Sequence, residues 1–538
     1  MDINSSIFKL PQSPGPYPDA VKWSQENLLA VAAQNLVLIL NPSNLQGPKA
    51  YVAPVEYAAL SPHEVDFEEI KRDELFPAVI SSFGKKYNRG VENTAQVRSI
   101  AWSPLGFTSY GGCLLAVCTS DSRVRIYCAA SSLQAQLQEV ADLSCDWKKY
   151  LESCQWQATK LQPFEEMSSG GMPRGIATAP SFTDAFLQST DLLGCTVVSW
   201  SPSVHVCRQV PSSTSAVSFL AVGNKLGQVI LWRIRAPKYS LQATHPDPGF
   251  QLVGVFAAHS TWLSGMTWGA CPCTSNVSEG SGCQKLWLAT GAVDGSVRLW
   301  SQLGEQLAEL PALASAGPRH WGNAWSVCGR DTFFMTPQAT VSFTDQMTVD
   351  VLAVAFPQCG QVLVACGKGP GGLLVWFGRE GTGRDGTDLI PGTLQQCAAW
   401  QQNAHHAQIM GLKWATLGAA PPQGQDGEAL LYSCGNDARF QSWNIAFPVG
   451  KEGAALQLRI GEGMKPSQQV PLLALPDAGT SGHQRKSFKE SDQTAYNGLD
   501  LSPTGTLMST ARSISPSLRM RDSMYAGRII LGTLCIHP

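Results

Sequence analysis

The chain has 538 residues, 44% of them hydrophobic and 15% charged, with 50 Gly, 34 Pro and 16 Trp. This profile belongs to many short strands joined by turns and argues against long amphipathic helices. Its 39 Lys and Arg nearly balance its 41 Asp and Glu, which excludes the strong positive field that holds nucleic acid by phosphate neutralisation alone.

No basic stretch followed by an apolar one stands between Met1 and Pro18, and the longest apolar run, Leu28 to Leu40, is broken by Gln34 and Asn35. Neither a secretion signal nor a membrane-spanning helix is expected. Many of the 16 Cys, among them Cys113, Cys118, Cys366 and Cys434, lie in apolar strand-like runs, where a thiol acts as a small hydrophobe. A reducing, intracellular compartment is the expectation.

One phrase recurs about seven times along the chain: an apolar residue, Trp-Ser and often Pro, a variable stretch, a strand of small residues, a turn, and a strand ending in an aromatic. It predicts blades of a repeat fold, in chain order. The first, near 20–42, carries Val21-Lys22-Trp23-Ser24 and Leu28 to Leu40. A charged insertion, 50–94, follows, with helical spacing over Val65 to Leu75 and a basic cluster at Lys85, Lys86 and Arg89. The second blade, 97–129, carries Ile100-Ala101-Trp102-Ser103-Pro104 and Leu114 to Tyr127, and a short helix is predicted within Leu133 to Trp156.

After an insertion at 165–191, the third blade, 195–234, carries Val198-Ser199-Trp200-Ser201-Pro202, and the fourth, 259–301, carries Met266-Thr267-Trp268. The fifth, 350–377, and the sixth, 405–445, are separated by an insertion at 378–392; the sixth contains another at 417–427 and is followed by one at 450–492. The seventh, 496–536, is weakest in its second half. The insertions, poor in hydrophobic residues, are expected to be loops or disordered segments.

In three blades an Asp in the turn precedes an aromatic by six residues: Asp121 and Tyr127, Asp294 and Trp300, Asp437 and Trp443. The turn Asp can accept bonds from the backbone and from a His at the start of the blade, while the Trp closes the strand end. Two full sets are predicted, His259 with Thr290, Asp294 and Trp300, and His406 with Ser433, Asp437 and Trp443, as buried structural partners and not as catalysts. Each blade buries its faces only against neighbours, so the repeats imply a closed ring. The predicted fold is all-β: a single seven-bladed WD40-like β-propeller with long inserted loops and one or two short helices.

Motifs for other chemistry were weighed and set aside. No Cys-x-x-Cys occurs, and Cys271, Cys273 and Cys283 have no matching His nearby, so no metal site is assigned. Neither a Gly-x-Ser-x-Gly elbow nor a phosphate-binding Gly-rich loop is present; Cys366 to Gly372 reads as a turn between two strands. No catalytic residue and no cofactor is assigned. Two basic clusters remain as candidates for phosphate or partner contact: Lys85, Lys86 and Arg89, and Arg512, Arg519 and Arg521, the latter interleaved with Ser513, Ser515 and Ser517 that suit phosphorylation.

Two passages resemble a known family: Ala20 to Ala32 running into Val37 to Pro42, and Trp102-Ser103-Pro104-Leu105-Gly106 with Gly112 to Val117 and Asp121-Ser122-Arg123-Val124. They look like the N-terminal WD40 region of the delta subunit of general transcription factor IIIC. The segment Asp142 to Leu151 resembles it too, and the diagnostic likeness ends near residue 150.

The resemblance implies a nuclear subunit, partnered with other transcription factor IIIC subunits and polymerase III initiation factors, that supports recognition of internal promoters. The charge balance and the broken apolar run, independently of the resemblance, make indirect DNA contact and no membrane association the expectation. Some relatives are credited with histone acetyltransferase activity. The only letters here that suit acetyl-CoA, Arg319 to Ala324, precede no amphipathic helix, so that activity rests on analogy. The competing expectation is a WD40 adaptor in another pathway.

Overall fold

The computed structural model describes residues 5–10, 14–15, 17–42, 50–52, 95–128, 137–153, 190–206, 215–237, 249–272, 284–310, 336–341, 348–357, 361–380, 394–415, 427–437, 439–447, 457–460, 496–503, 507–513 and 527–533. Two compact units are present: one of Met1–Trp23, Asp350–Glu380 and Gln395–Pro538, the other of Ser24–Val349 and Gly381–Leu394.

The second unit holds sheets A to D. Sheet A has the strands Leu29–Ala33, Leu36–Leu40 and Ala50–Val52, each antiparallel to the next. Sheet B is a four-stranded meander of Val97–Trp102, Leu115–Thr119, Val124–Cys128 and Gln138–Asp142. Sheet C runs through Cys195–Trp200, Ser215–Asn224, Gln228–Arg235 and Phe250–Ala257, with Val204–Val206 added beside the second strand. Sheet D repeats the order with Leu263–Pro272, Gln284–Ala292, Val297–Leu303 and Thr336–Val341.

The first unit holds sheets E to G. Sheet E is Val349–Ala355, Gln361–Lys368, Gly372–Glu380 and Leu394–Gln401; sheet F is Ile409–Trp414, Gly427–Gly435, Phe440–Phe447 and Gln457–Ile460. In sheet G the strands Tyr496–Leu501, Leu507–Ser513 and Gly527–Thr533 are completed by Ser5–Leu10 from the other end of the chain. Ser5 pairs with Gly532 and Leu10 with Gly527. Sequence reading left Ser5–Leu10 out of every blade, because a pairing across the whole chain leaves no local pattern.

The repeated phrase now has a mechanical meaning. The Ser of Trp-Ser closes the loop between the first two strands: Ser103 receives the Leu114 N–H on its hydroxyl at 2.7 Å, and Ser201 receives that of Phe219 at 2.8 Å. Ser24 does the same for Leu28 at 3.0 Å. The small-residue strand that follows is buried on both faces, as Leu115 to Thr119 are throughout, because neighbouring sheets cover both sides. Sheets B and C, with helix α1 (Leu143–Ser153), bury one apolar cluster around Trp147, Leu220 and Ile230. Sheets C and D bury another around Phe219, Leu288 and Trp300. In the first unit, Leu363, Val375, Leu412 and Trp443 form the layer between sheets E and F.

Helix α1 is shorter than the predicted stretch from Leu133 to Trp156, since Gln138–Asp142 is the outer strand of sheet B. Asp142 ends that strand and caps the helix, its carboxylate accepting the N–H groups of Ser144 at 3.1 Å and Cys145 at 3.2 Å. A second helix, α2 (Gly304–Glu309), was not foreseen. Arg233 explains its position: the buried guanidinium donates to the carbonyls of Ala308, at 2.6 Å, and Leu310, satisfying groups a helix end leaves unpaired. The predicted helix over Val65 to Leu75 lies outside the described residues.

The Cys expectation holds for packing: Cys113, Cys118, Cys366 and Cys434 are buried, and burial pushes the Cys113 and Cys366 thiols up to about 12. No described helix is long and apolar enough to cross a membrane.

Candidate functional site

The polar residues singled out by the sequence converge at the turns between the second and third strands. In sheet D, Trp300 Nε1 donates to Thr290 Oγ1 at 3.0 Å, and Thr290 Oγ1 lies 2.9 Å from His259 Nε2. His259 Nδ1 is 2.8 Å from Ser296 Oγ, which donates to Asp294 at 2.7 Å. Asp294 therefore reaches the His through Ser296, a member the sequence reading missed. Burial, and then the nearby Arg298 guanidinium, push the His259 ring down to about 3, so it is held neutral. The neutral ring donates from Nδ1 and accepts at Nε2, which matches its two hydroxyl partners. Burial pushes the Asp294 carboxyl up, but the Ser296 hydroxyl and N–H outweigh this and hold it below its usual range.

Sheet F repeats the arrangement with one correction. The ring in the network is His405, not His406: its Nδ1 lies 3.0 Å from Asp437 and its Nε2 2.8 Å from Ser433 Oγ, which accepts Trp443 Nε1 at 2.9 Å. His406 is exposed and contributes only its backbone N–H to Asp437, at 2.8 Å. Spacing carried the signal, because His259 precedes Trp268 by nine residues and His405 precedes Trp414 by the same nine. Burial pushes the Asp437 carboxyl up, but the bond to His405 and the N–H groups of His406 and Arg439 hold it below the usual range.

Sheet B has the Asp and the aromatic but solves the turn without a His. Asp121 is buried, takes the Thr119 hydroxyl, and pairs with Arg125 at 3.3 Å. Arg125 lies 3.7 Å from Asp142, which Arg123 engages at 2.6 Å. The two Arg side chains thus tie the turn to the outer strand and to α1. Trp102 ends the first strand, half-buried and opposite Leu115.

In sheet C Asn224 takes the place of the turn Asp, accepting the N–H groups of Leu226 at 3.0 Å and Gln228 at 2.9 Å, and in sheets C and E a left-handed glycine closes the turn. Gly227 and Gly371, at φ +76° and +83°, accept the N–H groups of His259 and His405 at 2.9 Å each. The His259, Thr290, Ser296 and Asp294 side chains of sheet D and the His405, Ser433 and Asp437 side chains of sheet F are bonded to one another across their turns.

Of the basic clusters, Arg512 lies on a strand of sheet G, paired with Tyr496 and Arg528. Lys85, Lys86, Arg89, Arg519 and Arg521 lie outside the described residues, as do Cys273, Cys283 and Arg319 to Ala324. Among the described residues no group of three His, Cys, Asp or Glu is placed to hold a metal.

What the sequence reading missed is an exposed apolar pair on sheet D. Trp262 is 44% and Val293 40% exposed, and the Val293 N–H donates to the Trp262 carbonyl at 3.0 Å. Lys225, from the neighbouring turn of sheet C, lies with Nζ 4.9 Å from the centre of the Trp262 ring. Both residues flank the His259–Asp294 network, which is the only cue the sequence offers to them.

Residues 23–269 match the family model of the transcription factor IIIC subunit delta β-propeller domain. The likeness therefore extends past residue 150, where sequence reading had stopped it, into the first strand of sheet D. No curated protein matches the chain in sequence. Among solved structures, a crystal structure of a mitotic checkpoint complex aligns over 98% of this chain and 91% of that chain, at 14% identity and a TM-score of 0.41.

Proposed function

We propose that this chain is a non-catalytic scaffold subunit of the transcription factor IIIC complex. It acts in the nucleus, supporting internal-promoter recognition and RNA polymerase III transcription through protein–protein contacts. Its sheets close as one seven-bladed ring whose final blade is completed by Ser5–Leu10. The observation that carries this reading is the delta-subunit match over residues 23–269, which covers sheets A to C. The chemistry of the turns agrees with it, since His259, Asp294, His405 and Asp437 are engaged in bonds between strands. The near-neutral charge balance suits protein partners better than direct capture of DNA.

Affinity purification of the tagged full chain, followed by mass spectrometry, tests the proposal. Recovery of the other transcription factor IIIC subunits with polymerase III initiation factors is expected; a partner set from another pathway, without them, refutes it.

A further inference from the structure

Among the described residues the two most exposed large apolar side chains share one loop of sheet B: Tyr110 is 73% and Leu105 51% exposed. Phe107 is buried beneath that loop, and three backbone bonds of 3.0 Å fold it back on itself, from Gly106 N–H to Gly111 O, Phe107 N–H to Gly112 O and Gly111 N–H to Thr108 O. The backbone next to Leu105 is thereby held beside the backbone next to Tyr110. The turn that precedes sheet A pins the loop from its side: Gln25 Oε1 accepts the Leu105 N–H at 2.7 Å, and the Glu26 carboxylate accepts the Cys113 N–H at 2.9 Å. Ser24 ties that turn in its place, its hydroxyl accepting the N–H groups of Glu26 at 3.2 Å and Leu28 at 3.0 Å. A partner meeting this surface need not order it first, which favours affinity.

The charge beside the apolar pair is negative. Glu26 is exposed and has no cationic partner among the described residues, and no Lys or Arg stands in 24–28 or 103–113. Its carboxylate lies against Gly112, where an added Cβ would stand 2.7 Å from Oε1, two residues along the chain from Tyr110. An exposed phenol ring near an uncompensated carboxylate takes a cation from two sides, since a guanidinium or ammonium pairs with the carboxylate and lies over the ring. Nucleic acid suits the surface less well: Tyr110 offers a face to one base, but Glu26 repels the phosphates on either side of it.

We propose that Tyr110, Leu105 and Glu26 form a docking site for a basic peptide segment, in which a Lys or Arg pairs with Glu26 and lies over the Tyr110 ring while a neighbouring apolar side chain packs on Leu105. This rests on the reading of the chain as an interaction scaffold and names the chemistry of one partner.

The test is fluorescence anisotropy of the full chain with a fluorescein-labelled peptide, Arg-Leu-Arg-Leu-Arg-Leu, beside its counterpart with Glu in place of Arg and a labelled oligo-dT. Saturable binding of the basic peptide is expected, weakened about tenfold or more by Tyr110→Ala and by Glu26→Gln, as for central anchors of an interface. Tyr110→Phe keeps the ring and should retain binding, and Trp262→Ala, at an exposed residue of sheet D, should leave it unchanged. Glu26→Gln keeps an oxygen for the Cys113 N–H, and an unchanged thermal transition confirms that each variant is folded. Four results overturn the proposal: no saturable binding of the basic peptide by the natural chain, equal affinity in all variants, tighter binding of the acidic peptide or of oligo-dT through the same residues, or a dimer of the natural chain that Tyr110→Ala dissociates in sedimentation, which would give the surface to a second copy. The scaffold reading is tested by its own purification, so either can fail while the other stands.

Discussion

Replacing Gly227 by Ala should destabilise the second unit severely, and the structure sets the size of the effect. An added Cβ would stand 2.2 Å from the His259 carbonyl oxygen and 2.6 Å from that of Thr261. Both are backbone atoms that cannot swing aside. At φ +76° the left-handed conformation itself costs about 1–2 kcal/mol once a Cβ is present. Relieving the collision displaces the N–H groups of Ala258 and His259, each bonded to Gly227 O at 2.9 Å, at about 1 kcal/mol per bond. Together these give about 3–4 kcal/mol. Gly249→Ala is the control, because its Cβ would meet nothing within 4 Å; it should be neutral or stabilising by up to about 1 kcal/mol. Urea unfolding followed by circular dichroism compares the two. Equal midpoints for Gly227→Ala and Gly249→Ala would refute the claim that this turn fixes the start of sheet D.

Three further outcomes are expected. His405→Phe should cost about 1–3 kcal/mol by stranding the buried Ser433 hydroxyl, whereas His406→Ala should leave the unfolding midpoint unchanged; equal losses would return the structural role to His406. The folded His259 ring stays neutral down to about pH 3 while the unfolded one takes its proton near 6.5, so the unfolded state binds more protons in between. Stability should then fall by about 2 kcal/mol from pH 7 to 5, and a His259→Gln variant with the same slope would disprove this; Asp294 and Asp437, held low, lose their contributions only at more acidic pH. Arg233→Met should release the end of α2 and speed amide exchange there while leaving the strands of sheet B protected, which hydrogen exchange with mass spectrometry reads directly.

The inner strands were legible in the sequence and the outer ones were not, for a physical reason. Inner strands such as Leu115–Thr119, Gln228–Arg235 and Gln361–Lys368 are buried on both faces, so they must be apolar, and the Trp-Ser phrase and turn Asp mark the ends of the clearest of them. The outer strand of sheet B faces solvent, Gln138–Asp142 having no fully buried residue, and so carries no apolar pattern, whereas Phe250–Ala257, the outer strand of sheet C, is buried along most of its length. Ala50–Val52 fell inside the predicted insertion 50–94 and Gln457–Ile460 inside 450–492, while Gly372–Glu380 runs past the start of the insertion at 378–392. The choice of His406 over His405 overlooked the nine-residue spacing to the Trp that His259 and Trp268 share with His405 and Trp414. That spacing works because the backbone, fixed by Gly371 on one side and the strand to Trp414 on the other, decides which ring points inward.

That double fixation also decides what these histidines can do. In sheet D the His259 backbone is bonded to Gly227 and its ring lies between Thr290 and Ser296; in sheet F the His405 backbone is bonded to Gly371 and its ring lies between Ser433 and Asp437. A ring with both nitrogens and its own backbone engaged has no proton-transfer site left to offer a substrate. It can transmit rigidity to the turn beside it. In sheet D that turn carries Val293 next to Asp294, and Trp262 stands three residues after His259. The network buried beneath the turn and the apolar pair exposed above it are thus parts of one arrangement. The interior bonds hold the turn and its surface residues still.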